Sequence, residues 1–319
     1  MKSRRFDVLA IGELNVDIIL NHINGLPEVG KEKNAGSMAL TLGSSTAIFA
    51  ANLSTLGAKV GFLGKIGNDS FGEFVKESLV EKGIDTSLIT IEEGISTGAT
   101  IVLNFDEDRA MVTYPGTMDY LTIDDIKDEF LMQAQHIHFS SFFYQPGIRD
   151  HIHLVFKRAK ELGLTTSFDT QWDPSEKWDF NFQLILPWVD IFFPNETELL
   201  HLTGTQKISE ALEKLGPFAK NIVVKRGNKG ALLRLETGEI FEMPAYLNTS
   251  VVDAIGAGDS FNAGFIFRFI KGESLQNCLD SGNLAGALNT TATGGTGAFK
   301  SKEQIRSTVK DKFNTSINI

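Results

Sequence analysis

The eight residues from Asp253 to Ser260, Asp-Ala-Ile-Gly-Ala-Gly-Asp-Ser, set a glycine turn, a helix start and a carboxylate side by side. Gly256 and Gly258 carry no Cβ, so the amides of Gly256, Ala257 and Gly258 can turn toward one point, and a helix opening there adds the positive end of its dipole. Such a point holds an anion. Asp259, at the helix start, can take a proton from a hydroxyl that attacks a group held by those amides. That is the chemistry of phosphoryl transfer. The competing reading is structural, with Asp259 as an N-cap and the glycines as a tight turn.

Other polar groups follow strand-like runs. Residues 8–11 lead into Gly12, Glu13, Asn15 and Asp17, at the carboxyl end of a first strand, where open α/β sheets bind ligands. Asp17 suits two neighbouring hydroxyls, or caps a turn. Gly43, Ser44 and Ser45 precede a helical run ending at Leu56, and either hold a substrate oxygen or cap the helix. Gly64, Gly67, Asp69 and Gly72 form a second glycine-rich turn, which alone reads as loop punctuation. Asn195 and Glu198 have capping-box spacing, and Glu198 can also stand near a Mg²⁺ ion that keeps most of its waters. Lys225, Arg226, Gly227 and Lys229 end a strand in positive charge beside a glycine, facing nucleotide phosphates or solvating a loop. His136 and His138 alternate in a strand and His151 and His153 lie on a helix, a spacing that argues against zinc. Phe142, Phe143, Tyr144 and Trp172 read as core and rim packing, with stacking on a ligand ring as the alternative.

These groups need a scaffold. Short β-branched or apolar runs at 8–11, 60–63, 137–139, 165–168, 191–193 and 222–224 alternate with segments of helical length and period. Their continuous hydrophobicity predicts strands covered on both faces, hence an α/β fold with a mostly parallel sheet between helix layers. Residues 97–114 break the rhythm, because runs 99–105 and 110–114 flank a turn at 106–109, as in a hairpin. A hairpin beside a doubly wound sheet is a candidate lid, to which residues 18–39 can add strands. Helices are expected at 258–270, 275–292 and 302–313. With no repeat or linker, residues 1–319 read as one domain with lid segments at about 15–40 and 96–116.

Composition narrows the partners. Forty acidic against thirty basic residues give a net charge of −10, which repels nucleic acid and anionic membranes. The single cysteine, Cys278, rules out an internal disulfide. Residues 1–5 are basic, but Asp7, Glu13, Asn15 and Asp17 interrupt the apolar run that follows, unlike a signal peptide. A cytoplasmic location is expected.

The glycine turn with Asp259, the Asn195 and Glu198 pair, and the turn from Gly64 to Gly72 together resemble the ribokinase family of sugar and nucleoside kinases, the PfkB carbohydrate kinases, over nearly the whole length. The resemblance implies a ribokinase-like αβα sandwich with a small β-sheet lid, ATP and Mg²⁺, and phosphorylation of an alcohol group of a small sugar or related polyol. It implies Asp259 as catalytic base, an anion hole from Gly256, Ala257 and Gly258, and Asn195 with Glu198 as the Mg²⁺ pair. Asn15 and Asp17, with Gly43 and Ser44, would hold substrate, and Lys225, Gly227 and Asn283 would line the nucleotide site. Many members bind a monovalent cation near the equivalent of Asp253, which makes K⁺ a candidate here, and the lid can pair two copies as a homodimer. One departure stands out: where members commonly show paired glycines and an asparagine four residues later, this chain reads Leu42, Gly43 and Ala47, so the substrate is not transferable by analogy. A nucleoside kinase is the nearest alternative. A non-catalytic sugar- or nucleotide-binding regulator is another, which needs neither Asp259 nor Glu198.

Overall fold

The computed structural model describes residues 4–105 and 108–319. A nine-stranded sheet forms the centre, in the order β13 (Ile240–Met243), β12 (Ala231–Arg234), β11 (Asn221–Lys225), β10 (Ile191–Phe192), β9 (Thr165–Phe168), β8 (Ala134–Phe139), β1 (Phe6–Ile11), β4 (Val60–Gly67) and β5 (Asp85–Glu92). From β11 to β5 every pairing is parallel, and β12 and β13 close one edge antiparallel. The chain leaves β1 in one direction to β4 and β5 and in the other to β8 and beyond, so a topological switch point lies between β1 and β8.

Period-2 alternation along buried strands supplies both faces of this sheet. Val8 and Ala10 of β1 join a core with helices Ser45–Leu56, Ala257–Phe269 and Leu275–Asn289, whereas Leu9 and Ile11 join the opposite core with helix Ile152–Glu161. The result is an αβα sandwich, as the continuous apolar runs predict. Helices Ala257–Phe269 and Leu275–Asn289 approach closely at Gly264, where a Cβ would lie 2.5 Å from the Cβ of Ala285.

A second sheet of four strands runs β3 (Ser37–Leu42), β2 (Asn15–Asn21), β6 (Gly98–Phe105), β7 (Asp108–Tyr114). The hairpin expected at 97–114 is the antiparallel pair of β6 and β7, and the stretch at 18–39 supplies parts of β2 and β3. Asp106 and Glu107 of its expected turn lie outside the described residues. Asn15 and Asp17 belong to β2 of this smaller sheet rather than to the end of β1. The second glycine-rich turn is structural. Gly64 and Gly67 sit inside β4, and Asp69 caps helix Ser70–Glu81 through the Gly72 amide while also accepting from Thr97 at 2.8 Å, which anchors the entry to β6.

Candidate active site

A cleft of about 1060 Å³ opens where the two sheets meet. Carboxyl ends of the central strands feed it: Glu13 after β1, Ser141 after β8, Gln171 after β9, Asn195 and Glu198 after β10, and Lys225 at the end of β11. Asn15, Asp17, Thr100 and Thr113 enter from the smaller sheet. This is the crevice at the switch point that a doubly wound sheet leaves for ligands.

Helix Ala257–Phe269 starts at Gly256, whose φ of 74° suits glycine. Ala257 N–H donates to the Ala254 carbonyl at 3.2 Å, while the amides of Gly256 and Gly258 carry no protein hydrogen bond among the described residues. Asp259 stands one residue further, buried, and its Oδ1 accepts from Ser45 Oγ and, at 2.9 Å, from Gln171 Nε2. Burial pushes its pKa up to about 7, with Asp169 adding to the rise.

The substrate-side residues cluster. Asn15 Nδ2 donates to Asp17 Oδ1 at 3.2 Å and to Thr100 Oγ1 at 3.1 Å. Gly43 is needed where it stands, since a Cβ would fall 2.4 Å from Asp17 Oδ1. Ser44 caps helix Ser45–Leu56 by accepting from the Ala47 amide at 2.9 Å and also donates to the Glu13 carbonyl at 2.7 Å. Asp17 has its pKa raised to about 6 by burial and by the nearby Glu13 and Asp253.

On the other side, Asn195 and Glu198 form a reciprocal capping box, Glu198 Oε2 accepting from the Asn195 amide at 2.9 Å. Its Oε1 accepts no hydrogen bond among the described residues and belongs to a side chain lining the cleft. Burial, with the neighbouring Asp169, pushes the Glu198 pKa up to about 7. Among the described residues no three His, Cys, Asp or Glu side chains converge on a metal, so any Mg²⁺ here would rest on few protein ligands and mostly water. A hard carboxylate oxygen left without a hydrogen bond among the described residues fits that kind of site. Lys225 reaches Asp169 Oδ2 at 2.5 Å, and its Nζ lies 3.5 Å from where a Cβ on Gly258 would be. Burial alone would lower its pKa, but Asp169 and Glu198 raise it, so the ammonium stays charged beside the glycine turn. Gly227 and Asn283 also line the cleft, Asn283 tying down the carbonyls of Met243 and Pro244 at 3.3 Å each.

The family follows from the chain as a whole. Residues 5–302 match the family described as pfkB family carbohydrate kinase. The chain belongs to the pfkB family of carbohydrate kinases. An ATP-dependent ribose-1-phosphate kinase of Halopiger xanaduensis is 30% identical to this kinase over 291 residues, covering 90% of this chain and 93% of that one. A 5-dehydro-2-deoxygluconokinase of Lacticaseibacillus casei is 28% identical over 318 residues, 95% of each chain. The solved ribokinase of Arabidopsis thaliana complexed with ribose and ATP aligns with a TM-score of 0.81 at 25% identity, covering 96% of this kinase and 99% of that chain.

Other residues singled out in the sequence stand at differing distances from the cleft. Ala47, which stands where family members commonly carry asparagine, is fully buried and does not line the cleft, whereas Ile48, the next residue, does. The two oxygens of Asp253 accept from the Ile255 amide at 2.9 Å and the Gly294 amide at 2.8 Å. Of the aromatic group, Phe142 and Phe143 are core, whereas Tyr144 and Trp172 line the cleft. The helical reading of His151 is displaced to a helix N-cap, and His136 and His138 are buried among hydroxyls of Thr165, Ser167 and Ser140.

Asp169, Gln171 and Thr46 were not singled out by sequence. Asp169 is wholly buried and binds both Lys225 and Asn262, the latter at 2.6 Å. Thr46 Oγ1 donates to Glu13 Oε2 at 2.6 Å and Ser141 Oγ to Glu13 Oε1 at 2.7 Å. The only signal for Asp169 was a carboxylate directly after a short β-branched, strand-like run.

Proposed function

We propose that this kinase transfers the γ-phosphoryl group of ATP to a hydroxyl of a small sugar or related polyol. The observation that carries this reading is Asp259, a buried carboxylate with its pKa pushed up to about 7, set at a helix start beside the amides of Gly256 and Gly258, which are unpaired among the described residues. Asn15 and Asp17, backed by Gly43 and Ser44, hold the sugar hydroxyls. Asp259 removes the proton from the attacking hydroxyl, a new bond forms from that oxygen to the γ-phosphorus, and the bond to the β,γ-bridging oxygen breaks, leaving ADP. The Gly256 and Gly258 amides, with Ala257 between them and the helix dipole behind, face the charge on the moving group.

Lys225 adds positive charge at the same place, and Gly227 and Asn283 shape the nucleotide end. Asn195 and Glu198 would hold Mg²⁺ through its waters; bound there, the ion neutralises phosphate charge. Asp253 ties the turn before Gly256 to Gly294 and is the candidate neighbour of a K⁺ ion. The names of the relatives, a ribose-1-phosphate kinase and a deoxygluconokinase, support a sugar or sugar derivative over a nucleoside.

Replacing Asp259 with Asn keeps shape and removes the base. The expected result is intact folding and ATP binding with kcat lowered by ~10²–10⁴. Coupled ADP release over sugars, sugar acids, sugar phosphates, inositols and nucleosides measures it and finds the acceptor; parent-like turnover on the best acceptor would remove Asp259 from the mechanism.

A further inference from the structure

We infer that Gln171, together with Ser45, is a clamp that aims the general base, holding Asp259 Oδ1 so that Oδ2 is presented to the substrate hydroxyl. The inference rests on Asp259 being the base. Gln171 Nε2 stands 2.9 Å from Asp259 Oδ1 and 2.7 Å from Ser45 Oγ, and Ser45 Oγ itself donates to the same Oδ1. These three residues come from three elements: the loop after β9, the first residue of helix Ser45–Leu56, and the first turn of helix Ala257–Phe269. Asp259 Oδ2 accepts no protein hydrogen bond among the described residues.

The backbone carries an independent sign. Gln171 sits at φ 59° and Ser44, just before Ser45, at φ 65°, in the left-handed region that side-chain-bearing residues avoid. Such strain persists only where the surroundings impose it, and it gathers at functional sites. Here the restraint is visible. The Gln171 amide N–H donates to Asp169 Oδ1 at 3.2 Å, while Asp169 Oδ2 is fixed by Lys225 and Asn262. Asp169 thereby bends the loop after β9 so that the Gln171 carboxamide reaches across to helix Ala257–Phe269. A residue that served packing alone would gain nothing from a left-handed backbone.

Two donors on one carboxylate favour its ionised form, the form a base needs. The other charged groups around Asp259 are Asp169, Glu13 and Glu198, which oppose ionisation, and Lys225, which supports it. The Gln171 carboxamide also donates to Asp169 Oδ2 at 3.3 Å, so removing it takes a donor from both carboxylates, whereas removing the Ser45 hydroxyl takes a donor from Asp259 alone.

The test uses Gln171→Gly and Ser45→Ala, with Asp259→Asn in the same assays. Glycine relaxes the left-handed backbone, which offsets the lost side-chain hydrogen bonds, so Gln171→Gly should fold and melt within a few degrees of the parent temperature. Its kcat should nevertheless fall about fivefold or more at pH 7, with the acid limb of the kcat profile displaced upward by about one pH unit, the worth of one hydrogen bond to a charged group. Ser45→Ala should displace the limb in the same direction, and serves if Gln171→Gly does not fold. A kcat loss with an unmoved acid limb in both variants, or parent-like kcat in both while Asp259→Asn is inactive, overturns the clamp. Parent-like turnover of Asp259→Asn instead overturns the assignment of the base on which the clamp rests.

Discussion

Glu13, Asp17, Glu198 and Asp259 crowd one cleft, and burial raises the pKa of each. For Asp259 the sign is simple: a base must be ionised, its pKa lies near 7, and activity should therefore rise with pH through that value. A kcat profile from pH 5 to 9 should show an acid limb there; a flat profile down to pH 5 would contradict a buried carboxylate base. Glu198 separates two roles that sequence spacing leaves superimposed. Glu198→Gln keeps a carbonyl oxygen for the Asn195 amide, so the cap and the melting temperature should survive, while the lost charge should raise the Mg²⁺ concentration for half-maximal rate by about tenfold. Coincident Mg²⁺ titrations of parent and variant would leave Glu198 with the cap alone.

The four-stranded sheet has two different faces. Asp17 pairs with Thr100 and Thr100 with Thr113, and these line the cleft. We propose that this sheet closes over the bound sugar and excludes water during transfer. Amide exchange should then slow in Asn15–Asn21 and Gly98–Phe105 when the acceptor sugar and a non-hydrolysable ATP analogue bind together, more than with either alone. Unchanged exchange in the saturated ternary complex would sink the lid. The positions at issue were readable as strands because alternation and turn residues are local; which face meets the ligand was not, since that depends on where the large sheet lies.

Seen whole, the kinase leaves the outer face of that small sheet apolar. Ile18, Leu40, Ile101 and Val112 pair across it in register, and Met38, Leu40, Ile101, Val112 and Tyr114 are exposed. A solvated sheet face usually carries polar residues, and we propose that a second copy of the chain covers this one. Light scattering after size exclusion should give a dimer for the parent and a monomer for Ile101→Lys with Val112→Asp; a monomeric parent at micromolar concentration rejects the pairing. Among the described residues, no helix is long and apolar enough to cross a membrane.

Glycine turns, capping-box spacing and buried-strand runs act through the backbone of a few consecutive residues, so the αβα layering and a helix opening beside the glycine turn, expected at 258 and found at Ala257, could be read from the chain alone. Helix Ser45–Leu56 shows where that ends. It is apolar nearly all round, with Ala47, Ile48, Phe49, Ala50, Ala51 and Leu53 all buried, so periodicity selects no face, and only its packing decides that Ile48 rather than Ala47 borders the cleft. Likewise Lys225 and Asp169 are 56 residues apart, and Gln171 and Asp259 are 88 apart. Nothing local in either member of those pairs announces its partner. Strand order brings the ends of β9 and β11 and the start of helix Ala257–Phe269 to one crevice, and that convergence, rather than any residue's own type, makes a buried aspartate an anchor and a strained glutamine its neighbour's clamp.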